Sequence, residues 1–324
     1  MRSGAKAPWT MGAATASIAT ALAILLGGAA SAAASPITST VQQSAATVRA
    51  YWTPQRMRAA QPASLLEHGP LDLSGVQSGS AGSSGKAKQV SRTRSYPNRT
   101  NGKVFFTIPL PAADAGDYEC SGTSVRSHTR SLVWTAGHCG YDSGPFPLAC
   151  DCTVRNFEFV PAYDNGSKPY GEWPASRIAT TRQWHDSSDS AFDLSAATVG
   201  PRNGRRLEDV IGARRVAFGQ RRRVEYNAFG YPDEPPFDGE HLYRCTSGYR
   251  GKDSTEGPPA PIRIACDMTG GSSGGGWVIR RRHRNHFRHY VVSVTSYGYL
   301  DDPGFLYGPY QGAVARALYR SAGG

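Results

Sequence analysis

Residues 132–139 read Leu-Val-Trp-Thr-Ala-Gly-His-Cys, an apolar run that ends in small residues, a histidine and a cysteine. A short apolar run of this kind, followed by a turn signal, predicts a buried β-strand. Comparable runs lie at residues 104–108, 216–218, 224–229 and 290–297. Asn-Gly or Asp-Gly dipeptides, which typically join antiparallel strands, lie at 101–102, 165–166, 203–204 and 238–239. The pattern predicts an all-β sandwich or barrel.

The strand-rich region covers residues 101–324. A break near residues 200–206 would divide it into two small barrels, about 101–204 and 205–324. Only residues 311–319 have helical spacing, with Val314 and Leu318 four apart on one face. We therefore expect a short helix at the end of an otherwise all-β domain.

The charge of the chain is concentrated at its front end. The 324 residues have a formal net charge of +11, with 39% hydrophobic and 19% charged residues. Residues 1–100 contain ten Lys and Arg against two Asp and Glu, whereas the remaining 224 contain 26 against 23. Because a nucleic-acid-binding domain needs a basic surface of its own, no nucleic-acid partner is expected for the strand-rich region.

The first 34 residues have the pattern of a signal peptide. Arg2 and Lys6 precede an Ala/Leu-rich apolar run, and Ala30-Ser31-Ala32 and Ala32-Ala33-Ala34 both fit an A-x-A cleavage site. The apolar core is too short for a typical membrane span and no basic stop-transfer segment follows. The sequence predicts a secreted protein without stable membrane association.

Residues 35–100 differ from the rest of the chain in composition. They contain no cysteine and are rich in Ser, Ala, Gln and Gly, so they are expected to be poorly ordered. Arg92, Arg94 and Arg99 lie in a Ser/Thr/Pro context. These residues predict a pro-segment that is removed near the arginines, the alternative being a linker that stays attached.

Six cysteines follow, which predicts disulfides in an exported chain. Sequence alone allows fifteen pairings. We favour three that close local loops: Cys120–Cys139, Cys150–Cys152 and Cys245–Cys266. The alternative, a metal site formed by Cys150, Cys152 and a histidine, is disfavoured in an oxidising compartment, so neither a metal nor an organic cofactor is expected.

Three further segments contain residues suited to nucleophilic catalysis. They are Thr-Ala-Gly-His-Cys at 135–139, Ala-Phe-Asp-Leu-Ser at 191–195, and Thr-Gly-Gly-Ser-Ser-Gly-Gly-Gly-Trp at 269–277. A serine hydroxyl is a weak nucleophile unless a base lies beside it, and histidine is the usual base. A buried carboxylate would fix the tautomer of that histidine.

The three segments together predict His138 as the base, Asp193 as the orienting acid and Ser273 as the nucleophile. Glycines around Ser273 allow the N–H groups of Gly271 and Ser273 to converge on an oxyanion. Asp189 is a rival for the acid, but it lies in a polar Ser-rich stretch, so Asp193 is favoured.

These motifs resemble those of the trypsin/chymotrypsin-like serine peptidases, at residues 135–139 and 271–275. Phe-Gly-Tyr-Pro at 229–232 and Phe192-Asp193 are similar to features of the bacterial V8-like (glutamyl endopeptidase-like) branch. The resemblance covers roughly residues 102–320. It implies two six-stranded antiparallel β-barrels with the active site between them, and a secreted monomeric endopeptidase that forms an acyl-enzyme. In this family an acid before the nucleophile pairs with the new N-terminus, but that position is Ser272 here, so this switch is unavailable.

The resemblance also implies substrate-binding positions. Asp267 lies where trypsin-like enzymes place the acid that binds Arg or Lys, and Ser296, Tyr297 and Gly298 resemble the segment that pairs with the substrate backbone. The histidine of Glu-specific enzymes is missing there. For the residue before the scissile bond we therefore expect a preference for basic, then small or aromatic, then acidic side chains.

Two other functions fit the same residues. The basic run Arg280–His289 could bind an anionic partner in a catalytically inactive homologue, although such runs are usually solvated hairpins. The same triad could also serve an esterase. A peptidase acting on proteins or peptides is the favoured interpretation, because all three catalytic residue types are present.

Overall fold

The computed structural model describes residues 34–63, 65–67, 85–110, 115–141, 153–284 and 286–324. The predicted signal peptide (apart from Ala34) and the Cys150–Cys152 pair lie outside these residues. The α-helices are α1 (Ala45–Tyr51), α2 (Pro54–Ala59), α3 (Arg182–Ser187), α4 (Leu207–Ile211) and α5 (Ala313–Ser321). The strands are β1 (Ile37–Thr40), β2 (Gln61–Pro62), β3 (Leu65–Glu67), β4 (Lys88–Gln89), β5 (Asn101–Ile108), β6 (Gly116–Val125), β7 (Leu132–Thr135), β8 (Arg155–Pro161), β9 (Trp173–Thr180), β10 (Ser195–Val199), β11 (Arg215–Val216), β12 (Glu225–Gly230), β13 (Tyr243–Lys252), β14 (Ile262–Ala265), β15 (Gly276–His283), β16 (His286–Val294), β17 (Tyr297–Tyr299) and β18 (Phe305–Gly308).

The first barrel is a closed ring of six antiparallel strands. Its order is β9-β10-β7-β6-β5-β8, and β8 pairs again with β9 to close it. Apolar side chains of these strands fill the interior of the barrel, where Phe105, Trp134 and Phe159 are fully buried. A barrel leaves no unpaired sheet edge, which explains why such short strands are stable.

The second sheet also returns to its start. Its central order is β16-β15-β12-β13-β14-β18-β17, and only Thr295 and Ser296 separate β16 from β17. Thr295 donates its N–H to the Gly275 carbonyl at 3.0 Å, and Ser296 donates its N–H to the Tyr307 carbonyl at 2.9 Å. β16 and β17 are therefore two halves of one continuous segment that stands at both ends of the strand order. Counted as one strand, they make a ring of six with β15, β12, β13, β14 and β18. The predicted all-β fold of two six-stranded antiparallel barrels with a short C-terminal helix, α5, is confirmed.

The segment 34–63 is ordered, so the expectation of a poorly ordered pro-segment is wrong for these residues. β1 pairs with β9, and β2 pairs with β6. Trp52, 1% exposed, packs on Phe105 with ring centroids 5.4 Å apart and donates its indole N–H to the Asn156 carbonyl at 2.6 Å. The side chains of Ser44 and Thr53 cap α1 and α2. Average composition does not reveal these anchors, because only three apolar side chains of residues 44–59, Val48, Trp52 and Met57, are buried against the barrel.

Residues 85–100 pack on the protein as well. β4 pairs with β13, and Val90 donates its N–H to the Leu242 carbonyl at 2.8 Å. Arg99 donates its Nε–H to the Ile211 carbonyl at 2.9 Å. This part of the predicted pro-segment thus extends the second sheet.

The described residues of the basic run, 280–284 and 286–289, form the end of β15, the turn residue Arg284 and the start of β16. Arg280, Arg281 and Arg282 are exposed, as expected for a solvated hairpin. Among the described residues, no helix is both long and apolar enough to cross a membrane.

Candidate active site

His138 and Asp193 are in direct contact. His138 lies in the turn after β7, and Asp193 follows a 3₁₀-helix at Ser190–Phe192. The Asp193 carboxylate accepts the His138 backbone N–H through Oδ1 and pairs with the ring Nδ1 through Oδ2, both at 2.9 Å. The same acid therefore holds both the backbone and the ring of the histidine, which fixes the orientation of the imidazole.

A third hydrogen bond completes the surroundings of Asp193. Ser296 donates its hydroxyl to Oδ2 at 2.5 Å. The carboxylate is 0% exposed. These three donors therefore provide the hydrogen bonds that water would form with the carboxylate at the surface.

Asp189, the rival acid, has a different role. Its side chain accepts the backbone N–H of Ala191 at 3.0 Å and caps the 3₁₀-helix that leads to Asp193. Among the described residues only Asp193 contacts the His138 ring through a carboxylate, so the geometry favours Asp193 over Asp189.

Ser273 lies in the glycine-rich turn before β15 and is 4% exposed. Its carbonyl accepts the N–H of Ser121 at 2.7 Å. The next residue, Gly274, lies so close to the His138 motif that a Cβ there would be 2.0 Å from Thr135 Oγ1 and 2.9 Å from the Ala136 nitrogen. The serine turn therefore packs directly on the segment that leads into His138.

The second ring nitrogen of His138, Nε2, has no hydrogen-bond partner within the described part of the chain, although it is buried. A hydrogen bond between Nε2 and Ser273 is not formed in this structure. Buried polar atoms are nearly always paired, so an imidazole nitrogen without a partner is a site at which a proton can be accepted.

Of the two predicted oxyanion donors, the N–H of Gly271 forms a hydrogen bond within the chain and the N–H of Ser273 forms none among the described residues. Gly271 has a φ of +83°, a left-handed conformation that turns its N–H away from the usual strand direction. That N–H donates to the carbonyl of Ala63 at 3.3 Å. No hydrogen bond among the described residues uses the Ser273 N–H. One of the two donors thus already holds a carbonyl oxygen, which is the kind of group an oxyanion site binds.

Ser121 supports this turn, and sequence analysis missed it. Its hydroxyl donates to the Gly271 carbonyl and accepts the N–H of Tyr231, both at 2.9 Å. It lies 150 residues from Gly271 along the chain and belongs to no motif. Its role is visible only in the three-dimensional structure, where this residue of the first barrel contacts Gly271 and Tyr231 of the second.

A cavity of about 350 Å³ opens beside Ser273. The four predicted substrate-binding residues all line it: Asp267, Ser296, Tyr297 and Gly298. Glu234 lines it as well. The Ser296 hydroxyl, however, points to Asp193.

Asp267 is also engaged within the chain. Its Oδ1 accepts the Ala87 N–H at 2.6 Å, and its Oδ2 lies 3.8 Å from Lys86 Nζ. Part of its charge is therefore compensated by the segment before the first barrel. This contact weakens the expected role of Asp267 as an unpaired acid for a basic side chain.

The wall formed by β17 is held by a buried acid. Asp253 accepts the hydroxyls of Tyr297 and Tyr299, both at 2.6 Å. Burial alone would raise the pKa of Asp253, but these hydrogen bonds keep it below its ordinary value. The carboxylate thus stays charged and fixes both tyrosines at the cavity.

Three titratable groups lie behind Gly271. Burial raises the pKa of Glu119 to about 8, opposed by its ion pair with Lys103. Burial also raises the pKa of Asp233, whose backbone nitrogen would lie 3.2 Å from a Cβ on Gly271. Burial thus shifts the titration of both carboxyl groups toward higher pH.

Two predicted disulfides are present, Cys120–Cys139 and Cys245–Cys266. The first joins β6 to the residue after His138. Cys120, His138 and Cys139 bring their ligand atoms within 4.8 Å of one another, but both sulfurs are joined in the disulfide and offer no thiolate to a metal.

A buried His–Asp pair beside a glycine-framed serine, between two antiparallel barrels, is the architecture of a serine protease fold. No protein-family model matches the chain. The protease Anisep from Arthrobacter nicotinovorans is 39% identical, with a TM-score of 0.61 over 69% of this chain and 95% of its own. The thermostable serine protease AL20 from an extremophilic microorganism is 34% identical, with a TM-score of 0.60 over 69% and 97% of the two chains.

The chain therefore belongs to the chymotrypsin-like serine proteases of bacteria. A Glu endopeptidase shares the fold at 16% identity, with a TM-score of 0.55 over 73% of this chain and 96% of its own. An extracellular metalloprotease of Bacillus subtilis (strain 168) is 29% identical over 108 residues, 33% of this chain. That match spans only 31% of the Bacillus protein. The resemblance to the serine peptidases read from the motifs is confirmed, and the fold is shared with a Glu endopeptidase.

Proposed function

We propose that this protein is a secreted serine endopeptidase in which Ser273 is the nucleophile, His138 the general acid–base and Asp193 the orienting group. The observation that carries the proposal is the buried Asp193–His138 pair, whose ring Nδ1 is bound and whose Nε2 has no partner among the described residues, while the serine turn packs at Gly274 on Thr135 and Ala136. Nδ1 then carries the proton toward Asp193, which leaves Nε2 as the base.

The reaction proceeds in two halves. Ser273 Oγ attacks the substrate carbonyl while its proton moves to His138 Nε2, and Asp193 stabilises the imidazolium. The oxyanion accepts hydrogen bonds from the N–H groups of Gly271 and Ser273. His138 returns the proton to the leaving amine, an acyl-enzyme forms, and water releases the acid by the same steps.

We propose a preference for basic residues before the scissile bond, followed by small or aromatic and then acidic ones. Two acidic residues, Asp267 and Glu234, line the cavity together with Tyr297, although Lys86 compensates part of the charge of Asp267. A set of peptides that differ only at this residue tests the order. Asp267→Asn should lower kcat/KM for Arg and Lys peptides and leave that for aromatic peptides unchanged; equal changes would contradict the role of Asp267.

Export and cleavage of a signal peptide at residues 1–34 are part of the proposal, as is a monomer without nucleic-acid or membrane partners. Two disulfides support an oxidising compartment. The N-terminus and mass of the secreted product, measured by mass spectrometry and light scattering, test these statements.

A fluorophosphonate tests the nucleophile directly. Ser273 Oγ should form a bond to phosphorus with loss of fluoride, which intact-mass and peptide mapping would locate. Ser273→Ala should abolish labelling and peptide hydrolysis, whereas Ser293→Ala, a buried serine outside the cleft, should keep both. No labelling of the processed chain would favour a binding protein, and labelling with hydrolysis of esters but not peptides would favour an esterase.

A further inference from the structure

Residues 61–63 and 65–67 of the chain, here called the cleft segment, pair with strands on both sides of the serine turn. β2 pairs in parallel with β6 at Tyr118 and Glu119. Ala63 then donates its N–H to the Glu119 carbonyl at 2.9 Å and accepts the Gly271 N–H at 3.3 Å. Ala63 therefore connects a first-barrel strand to the serine turn, and it uses one of the two amide donors that a substrate oxyanion needs.

β3 continues along the cavity wall. It pairs in parallel with β17, with Leu65 opposite Tyr297, Leu66 opposite Gly298 and Glu67 opposite Tyr299. β17 pairs with β18 on its other side, so β3 covers the free edge of the sheet. An extended peptide recognises such an edge through its main chain. A substrate that needs this edge meets it already occupied.

The preceding helices anchor this segment. Trp52 is buried on the first barrel. Tyr51 and Arg56 both bind Asp117, with O–O and N–O distances of 2.6 and 2.8 Å. Because the anchors and the cleft segment belong to one chain, the segment competes with substrate at an effective concentration of about millimolar.

We propose that the cleft segment, residues 61–63 and 65–67, is an intramolecular peptide ligand of the substrate cleft and that α1 and α2 hold it there until it is removed. The inference rests on the proposed function. It also explains how activity could be controlled in a chain that has Ser272 in place of the acidic residue that pairs with a new N-terminus in related zymogens. Residues 85–100, which extend the second sheet, remain with the protease.

The test measures the rate at which a small fluorophosphonate labels Ser273 in the full chain, with intact mass used to verify that residues 34–67 are still attached. Trp52→Ala removes the main anchor and should increase this rate by at least about tenfold. The double variant Tyr51→Phe/Arg56→Ala leaves the barrel core intact and should increase it as well. Arg58→Ala changes an exposed residue of α2 and should leave the rate unchanged.

Equal labelling rates in all four proteins would overturn the inference, as would the same increase in Arg58→Ala. Thermal unfolding of each variant verifies that the barrels are folded. If no protein is labelled even after limited proteolysis has removed residues 34–67, the proposed function itself fails. The two failures are therefore distinguishable.

Discussion

Replacement of Ser296 by alanine probes the hydrogen bonds around Asp193. The buried carboxylate accepts two bonds from His138 and one from Ser296, the last at 2.5 Å. A hydrogen bond to a charged group contributes about 1.5–3 kcal/mol. Because no water reaches a carboxylate that is 0% exposed, Ser296→Ala should lower the free energy of unfolding by about this amount.

The same change should reduce catalysis. Ser296 and the His138 ring share one carboxylate oxygen, Oδ2, so loss of the hydroxyl leaves the carboxylate less firmly oriented against the imidazole. We expect kcat to fall by about tenfold, which corresponds to about 1.4 kcal/mol. KM should change little, because Tyr297 and Gly298 of the cavity wall are unaltered.

Ser293→Ala is the matched control. Ser293 is also buried, but its hydroxyl donates to the neutral Pro309 carbonyl at 2.9 Å, so the expected loss is about 1 kcal/mol without an effect on kcat. Urea unfolding is measured in a Ser273→Ala background, which prevents self-digestion, and kcat in the active proteins. Equal stability losses in the two variants, or full kcat in Ser296→Ala, would refute the reasoning.

Two further predictions concern stability. Burial raises the pKa of Glu158 from 4.5 to about 9, so the folded protein keeps a proton that the unfolded chain loses. Glu158 should therefore lower the stability by about 1.4 kcal/mol per pH unit between about pH 5 and 9; because the raised pKa of Glu119 adds a slope of its own, Glu158→Gln should reduce the slope measured in urea titrations by that amount, and an unchanged slope would contradict the assignment. Gly274 has a φ of +78° and no room for a Cβ beside Thr135, so Gly274→Ala should cost about 2–5 kcal/mol. Gly166→Ala, with a φ of +74° and open space, should lose only the backbone part of about 1–2 kcal/mol in the same titration; equal losses would show that the close contact is not limiting.

The sequence predicted the features that are local. The strand 132–135 and the turn that contains His138 follow from eight consecutive residues, and the Ser273 turn follows from its glycines. The apolar context of Asp193 predicts its burial, because a carboxylate between Phe192 and Leu194 is carried into the interior, whereas its catalytic role stays a prediction.

Long-range contacts could not be predicted. Asp267 binds the Ala87 N–H across 180 residues, and no pattern around either residue indicates it. The direction of the Ser296 side chain depends on how the two barrels meet. The order of residues 34–63 was missed because its signals, the N-cap residues Ser44 and Thr53 and single apolar anchors, are diluted among small polar residues.

Removal of β3 from the sheet would affect the tendency of the protein to self-associate as well as its ability to bind peptides. β17 would then present unpaired main-chain groups beside the closely packed rings of Tyr297, Tyr299 and Tyr307. An uncovered strand with aromatic neighbours is a template for self-association. In the full chain β3 therefore also protects the edge of β17 from pairing with other protein molecules.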